Sequence, residues 1–165
     1  MRMRLHAFLL FVTVLLSSYS KSQTKVNLVL AVDDKIAEGV FMNVILRTFI
    51  RDSSIDYEVT YLPGSLSLPE KIGIENELQL SDSIHLLFNY SIVCRQEQKM
   101  SNYKIDFSKT WISNSYTVVK IFNIETGDNR KKYLPLPSKT YTYDVYYPGG
   151  SAISVRKRSK RSNCD

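Results

Sequence analysis

The sequence predicts a mainly β protein, an antiparallel sandwich or a curled sheet of about eight strands, with one early packed helix over residues 35–51. Three observations carry that expectation. Short stretches of alternating apolar and polar residues recur along the chain, as half-buried strands require. Turn signals such as Asp52-Ser53-Ser54, Pro63-Gly64, Thr126-Gly127-Asp128-Asn129 and Pro148-Gly149-Gly150 separate them. Tyrosine is abundant, with 11 copies, and suits a sheet because its ring packs across strands while its hydroxyl stays hydrated.

Taken in order, Val26–Val32 is an apolar run of strand length, and either Asp33 or Asp34 could cap a following helix. From Lys35 to Arg51 the apolar residues Ile36, Ala37, Val40, Phe41, Val44, Ile45 and Phe49 recur at helical spacing, with a strand over Val40–Ile50 as the competing reading. Tyr57–Leu62 reads as a short strand. Lys71–Leu80 alternates, with Asn76 the exception, and reads as a strand that pairs in a hairpin with Ile84–Arg95. In the latter, Ile84, Leu86, Phe88, Tyr90, Ile92 and Cys94 form the inner face, while His85, Asn89, Ser91 and Arg95 point outward. Gln96–Tyr103 reads as a polar connector. Strands follow over Lys104–Ile112, Tyr116–Ile124, Arg130–Leu134, Thr140–Tyr147 and Ser151–Val155.

The ends divide the chain into a signal peptide (1–22), one β-rich extracellular domain (23–155) and a basic tail (156–165). Arg2 and Arg4 precede an apolar run, Leu5–Leu16, and then the small polar residues Ser17, Ser18, Ser20 and Ser22. That order is the pattern of a secretory signal peptide, and the run is shorter than the roughly 20 apolar residues of a membrane span. The expected location is therefore secreted and extracellular. The remaining length fits a single hydrophobic core.

The formal charge of +6 belongs to the ends. Of 22 basic residues, eight lie in residues 1–21 and 156–161, which leaves 14 against 15 acidic ones once terminal Asp165 is set aside. A nearly neutral body does not read as a nucleic-acid-binding surface.

In an oxidising compartment Cys94 and Cys164 are expected to form a disulfide. It would close a loop of 71 residues and stabilise the fold by about 4 kcal/mol in the chain-entropy picture. The competing reading is a free Cys94 with Cys164 paired to another chain.

Catalytic and metal-binding patterns are sparse. After signal removal His85 is the single histidine, which rules out HExxH and multi-histidine zinc sites, and no Walker or GxGxxG loop occurs. His85 reads as a surface histidine, Asp33-Asp34 as a cap, and Glu75 with Glu77 as a solvated strand face. No catalytic residue, metal or cofactor is expected, and the chain reads as a non-enzyme.

Two processing signals remain. Asn89-Tyr90-Ser91 is the single N-x-Ser/Thr tripeptide, with Asn89 on an outward strand face, so the chain is expected to be a glycoprotein. Arg158-Ser159-Lys160-Arg161 has an arrangement that resembles proprotein-convertase sites, within the basic run Arg156–Arg161. The first reading of the same run is a solvated tail, with processing after Arg161 next and adhesion to acidic glycans or an anionic membrane surface third; only this tail would bring the chain to a membrane.

Together these features predict a small secreted interaction module for an extracellular protein or glycan, with Tyr146, Tyr147, Arg156 and Lys157 as candidate contacts. The alternatives are a precursor cut at residues 156–161 and a secreted hydrolase that uses carboxylates alone.

Overall fold

The computed structural model describes residues 23–36, 38–70, 74–94, 97–125, 127–153 and 156–157. Residues 1–22, where a signal peptide is expected, and the tail from Arg158 onward lie outside the described residues.

The chain is mainly β, as its patterning requires. The strands are Lys25–Val26 (β1), Leu28–Val32 (β2), Lys35–Ile36 (β3), Val40–Ile50 (β4), Ser53–Glu58 (β5), Thr60–Leu62 (β6) and Ser65–Ser67 (β7). After a helix at Ile74–Leu80 (α1) come Ser83–Cys94 (β8) and Glu97–Asp106 (β9), then a 3-10 turn at Lys109–Ile112. Thr117–Asn123 (β10), a short helix at Gly127–Lys132 (α2), Tyr133–Leu134 (β11), Tyr141–Tyr147 (β12), Gly150–Ile153 (β13) and Arg156–Lys157 (β14) complete the described chain.

Two sheets form the layers. One has the order β5-β4-β8-β9 and is antiparallel throughout. The other has the order β13-β12-β10-β2-β3, in which β10 and β2 run parallel and the remaining pairs antiparallel. A three-stranded ribbon, β1-β7-β6, and the pair β11-β14 flank them.

One apolar core joins the layers. Leu28, Leu30, Val119, Ile121, Tyr141 and Tyr143 of the five-stranded sheet pack in the same cluster as Leu46, Ile84, Leu86, Phe88 and Ile105 of the four-stranded one. Each such side chain contributes about 1.5–3 kcal/mol when removed from water. Five of the six residues expected on the inner face of β8 lie there: Ile84, Leu86, Phe88 and Tyr90 are buried and Ile92 packs against the core, while the side chain of the sixth, Cys94, lies outside the described residues.

Tyrosine hydroxyls close the seams. Tyr61 Oη accepts the Leu30 N–H at 2.8 Å, on the side of β2 that β10 leaves open. Tyr141 Oη accepts the Lys104 N–H at 2.7 Å and donates to the Lys104 carbonyl at 2.8 Å. Tyr143 Oη accepts the Asp106 N–H at 3.2 Å and donates to Asp106 Oδ2 at 3.0 Å. Backbone groups on the outer edge of β9 thus find partners on β12 without a ladder between the two strands.

Four expectations are corrected. Residues 35–51 are not a helix: β4 occupies Val40–Ile50 and pairs with both β5 and β8. A bulge explains the misreading. Between Met42 and Ile45 the register slips by one residue, and Asn43 has φ 51°. Phe41 and Val44 therefore both face the core although three residues apart, which imitates helical spacing. Asp33 and Asp34 cap no helix; with φ 52° and 62° they form the two-residue turn between Val32 and Lys35, where left-handed backbone is needed. Of the strand expected over Lys71–Leu80, the described part, Ile74–Leu80, is instead the helix α1, which buries Ile74 and Leu78, one turn apart, and exposes Leu80. Asn76, the exception to the alternation, was the helical signal, and β8 pairs instead with β4 and β9. Finally, Gln96–Tyr103 is largely strand, since β9 begins at Glu97, and its polar character fits its exposed position at a sheet edge. Smaller adjustments follow: Lys109–Ile112 is a 3-10 turn and Arg130–Lys132 ends α2.

Candidate functional site

The candidate partner contacts separate. Neighbouring residues on a strand face opposite ways, so Tyr146 and Tyr147 of β12 lie on different sides of their sheet. Tyr146 is on the outer side, 38% exposed, with Lys120 Nζ 5.9 Å from its ring centroid. Arg156 and Lys157 are placed through their backbone, which pairs with Leu134 and Tyr133 of β11. Tyr133 in turn packs on Phe122 of β10, ring centroids 4.7 Å apart. Tyr147 points to the inner side and lines a cleft with residues that the sequence did not single out.

That cleft, of about 630 Å³, opens where β9 hands over to the 3-10 turn and faces the β12–β13 hairpin. Asp106, Ser108, Thr110, Trp111 and Asn114 form one wall, and Tyr143, Val145, Tyr147, Pro148 and Ala152 the other. Local sequence explains each wall. Ser108 caps the turn, with its Oγ accepting the Thr110 N–H at 3.3 Å, and the Ser113 N–H closes it on the Thr110 carbonyl at 3.2 Å. This holds Trp111 against Phe107, ring centroids 4.8 Å apart, at the edge of the core. Across the cleft the turn Pro148-Gly149 needs Gly149 at φ 81°, and Gly150 lies flush on the Tyr147 ring, where a Cβ would sit 2.9 Å from Cε2.

Among the described residues lining the cleft, the Asp106 carboxylate is the one charged group. Asp106 Oδ1 lies 3.0 Å from His85 Nδ1, which makes no aligned hydrogen bond, and Asp106 Oδ2 accepts from Tyr143. His85 is not a freely exposed histidine: its side chain is 17% exposed and meets Phe49 edge-on at 5.4 Å. Burial, aided by Lys104, holds its pKa below the ordinary 6.5 despite the nearby Asp106. Lys139 Nζ sits over the Tyr141 and Tyr143 rings at 5.4 and 5.7 Å and donates to the Lys104 carbonyl, and burial lowers its pKa. In the cleft wall itself, Asn114 Nδ2 is shut off from solvent with no partner among the described residues.

The acid pairs have structural occupations. Asp33 Oδ1 accepts from the Asn123 N–H at 2.8 Å and from Asn129 Nδ2 at 2.7 Å, while Oδ2 accepts from Asn123 Nδ2 at 2.9 Å, so it ties the β2–β3 turn to β10 and α2. Glu75 accepts from Thr24 Oγ1 at 2.8 Å and Glu77 from the Tyr57 hydroxyl. Among the described residues no three His, Cys, Asp or Glu side chains gather as metal ligands, and no helix is long and apolar enough to cross a membrane.

For the processing residues, Asn89 lies at the middle of β8 on the outward face of the four-stranded sheet, paired with Met42 and Asn102. Cys94 ends β8 with its backbone opposite Glu97. Cys164 lies outside the described residues, and with it the expected Cys94–Cys164 disulfide, as do Arg158, Lys160 and Arg161.

No protein-family model matches the chain, and no curated protein or solved structure matches it either.

Proposed function

We propose that the chain is a small secreted binding module whose cleft beside Tyr147 takes a neutral oligosaccharide. The lining carries the reading. Half-buried Tyr147 and exposed Pro148, backed by the buried rings of Trp111 and Tyr143, stand beside short hydrogen-bonding groups from Asp106, Ser108 and Thr110. A ligand with apolar C–H faces and several hydroxyls meets both kinds of surface, whereas a purely apolar ligand would leave the polar groups unpaired. Asp106 is the one charged side chain among the described lining residues, and a neutral sugar meets it without the repulsion that a sulfated or uronic one would suffer. The leader-like residues 1–22 support an extracellular setting, where such ligands are displayed.

The test is retention of the exported protein on immobilised neutral oligosaccharides, with parallel heparin beads as the anionic arm. Ala152, an exposed residue at the rim, is replaced by Trp to fill the cleft without disturbing the core. The expected result is retention on a neutral glycan that Ala152→Trp abolishes. Retention on heparin alone, unchanged by Ala152→Trp and lost on removal of residues 156–165, would overturn the reading in favour of the tail.

A further inference from the structure

The outward face of the four-stranded sheet carries an apolar stripe with Asn89 at its centre. Residues paired across strands share a face, so the rows are Glu58–Ile45–Leu87–Lys104, Met42–Asn89–Asn102 and Val40–Ser91–Met100, with Val93 opposite Gln98 beyond them. Apart from Met100 on β9, the apolar residues run along β4 and β8, and Glu58, Lys104, Asn102 and Gln98 rim them on β5 and β9. Val40 is 62% exposed, Val93 73% and Met100 56%, and Met42, Ile45 and Leu87 are half-buried. Arg47 bound to Asp56, and His85 beside Asp106, border the stripe at one end. Exposed apolar side chains gathered on one sheet face favour association unless something covers them.

Asn89 supplies the cover. It is the asparagine of the chain's single N-x-Ser/Thr tripeptide. Its side chain makes no hydrogen bond among the described residues, and its amide reaches solvent. Ser91 is buried and accepts from Gln98 Nε2 at 2.8 Å, which is no obstacle because the tripeptide is read in the extended chain before folding.

We propose that Asn89 carries an N-linked glycan whose first sugars lie over this stripe and keep two copies of the chain from joining through it. In the transfer, Asn89 Nδ2 forms a bond to the anomeric carbon of a lipid-pyrophosphate oligosaccharide. The bond from that carbon to the pyrophosphate oxygen breaks, the lipid pyrophosphate leaves with the electron pair, and one amide proton passes to a base. The inference rests on the extracellular reading above, because a cytosolic chain never meets this donor.

The experiment expresses the full chain in cells with a secretory pathway and examines medium and lysate separately. Expected are a chain in the medium whose mass falls on treatment with a glycan-removing amidase, and Asn89→Gln and Ser91→Ala chains that lose the shift. In sedimentation both variants move from monomer toward dimer, while Ser91→Thr, which keeps the tripeptide, keeps both glycan and monomer. Protein in the medium with unchanged mass overturns the glycan and leaves the secretion reading standing. Protein confined to the cytosol overturns both. A glycan whose loss leaves Asn89→Gln monomeric overturns the shielding role.

Discussion

Tyr61, Tyr141 and Tyr143 present their hydroxyls to main-chain groups of other strands, and this placement has a signature in pH. Burial raises the pKa of Tyr61, Tyr90, Tyr103, Tyr141 and Tyr143 above the ordinary 10, Tyr103 to about 12. In the unfolded chain these phenols ionise first, so the native state holds the extra protons, and stability falls as pH rises above 10. His85 acts at the other end. Its neutral form is favoured in the fold, so the unfolded chain binds the extra proton as pH falls below 6.5, and stability declines there too. Denaturant midpoints measured across pH should therefore form a plateau between these limits, with the His85 ring resonances titrating at a midpoint below 6.5. A midpoint above 6.5 would mean that Asp106 outweighs burial. Replacing Tyr143 by Phe, which strands the Asp106 N–H, should cost about 1–3 kcal/mol in the same denaturation measurement.

The elements show where pattern reading works and where it fails. β8 was legible down to its faces because it alternates without interruption between two partner strands. β4 was not, since the bulge at Asn43 shifts its phase midway and leaves apolar spacings of three and four. α1 was hidden for the opposite reason: its seven residues are too few to establish a helical period, and two turns happen to place apolar residues at even positions. β9 was missed because composition reports burial, and the tip of an edge strand has little. The bulge makes its own prediction. Asn tolerates the left-handed backbone at residue 43 and Gly tolerates it better, so Asn43→Gly should be neutral or stabilising by up to about 1 kcal/mol. Asn43→Val should destabilise by about 1–2 kcal/mol, because a β-branched side chain clashes there. Equal effects in urea unfolding would show that residue 43 is not held at positive φ.

At the scale of the molecule, the β class and the single core follow from alternation and length, while the sheet order does not. The parallel pairing of β2 with β10 brings together segments almost ninety residues apart, and nothing local announces it. The cleft was illegible for the same reason, because its walls come from residues 106–114 and 143–152, which meet only after the two sheets close on one core. Tyr147 was the one cleft residue with a signal, as an aromatic beside the last hairpin; Tyr146, chosen on the same ground, faces the other way. That opposition turns the adjacent pair into a control for the function. The most direct measurement is calorimetric titration of the retained neutral oligosaccharide into the exported protein, its Ala152→Trp variant and its Tyr146→Ala variant. The cleft assignment predicts that Ala152→Trp weakens binding by about tenfold or more, roughly 1.4 kcal/mol at least, with an unchanged melting temperature, while Tyr146→Ala stays within about twofold. Binding that survives the filled cleft and fails in Tyr146→Ala would contradict it and move the site to the outer face of the five-stranded sheet.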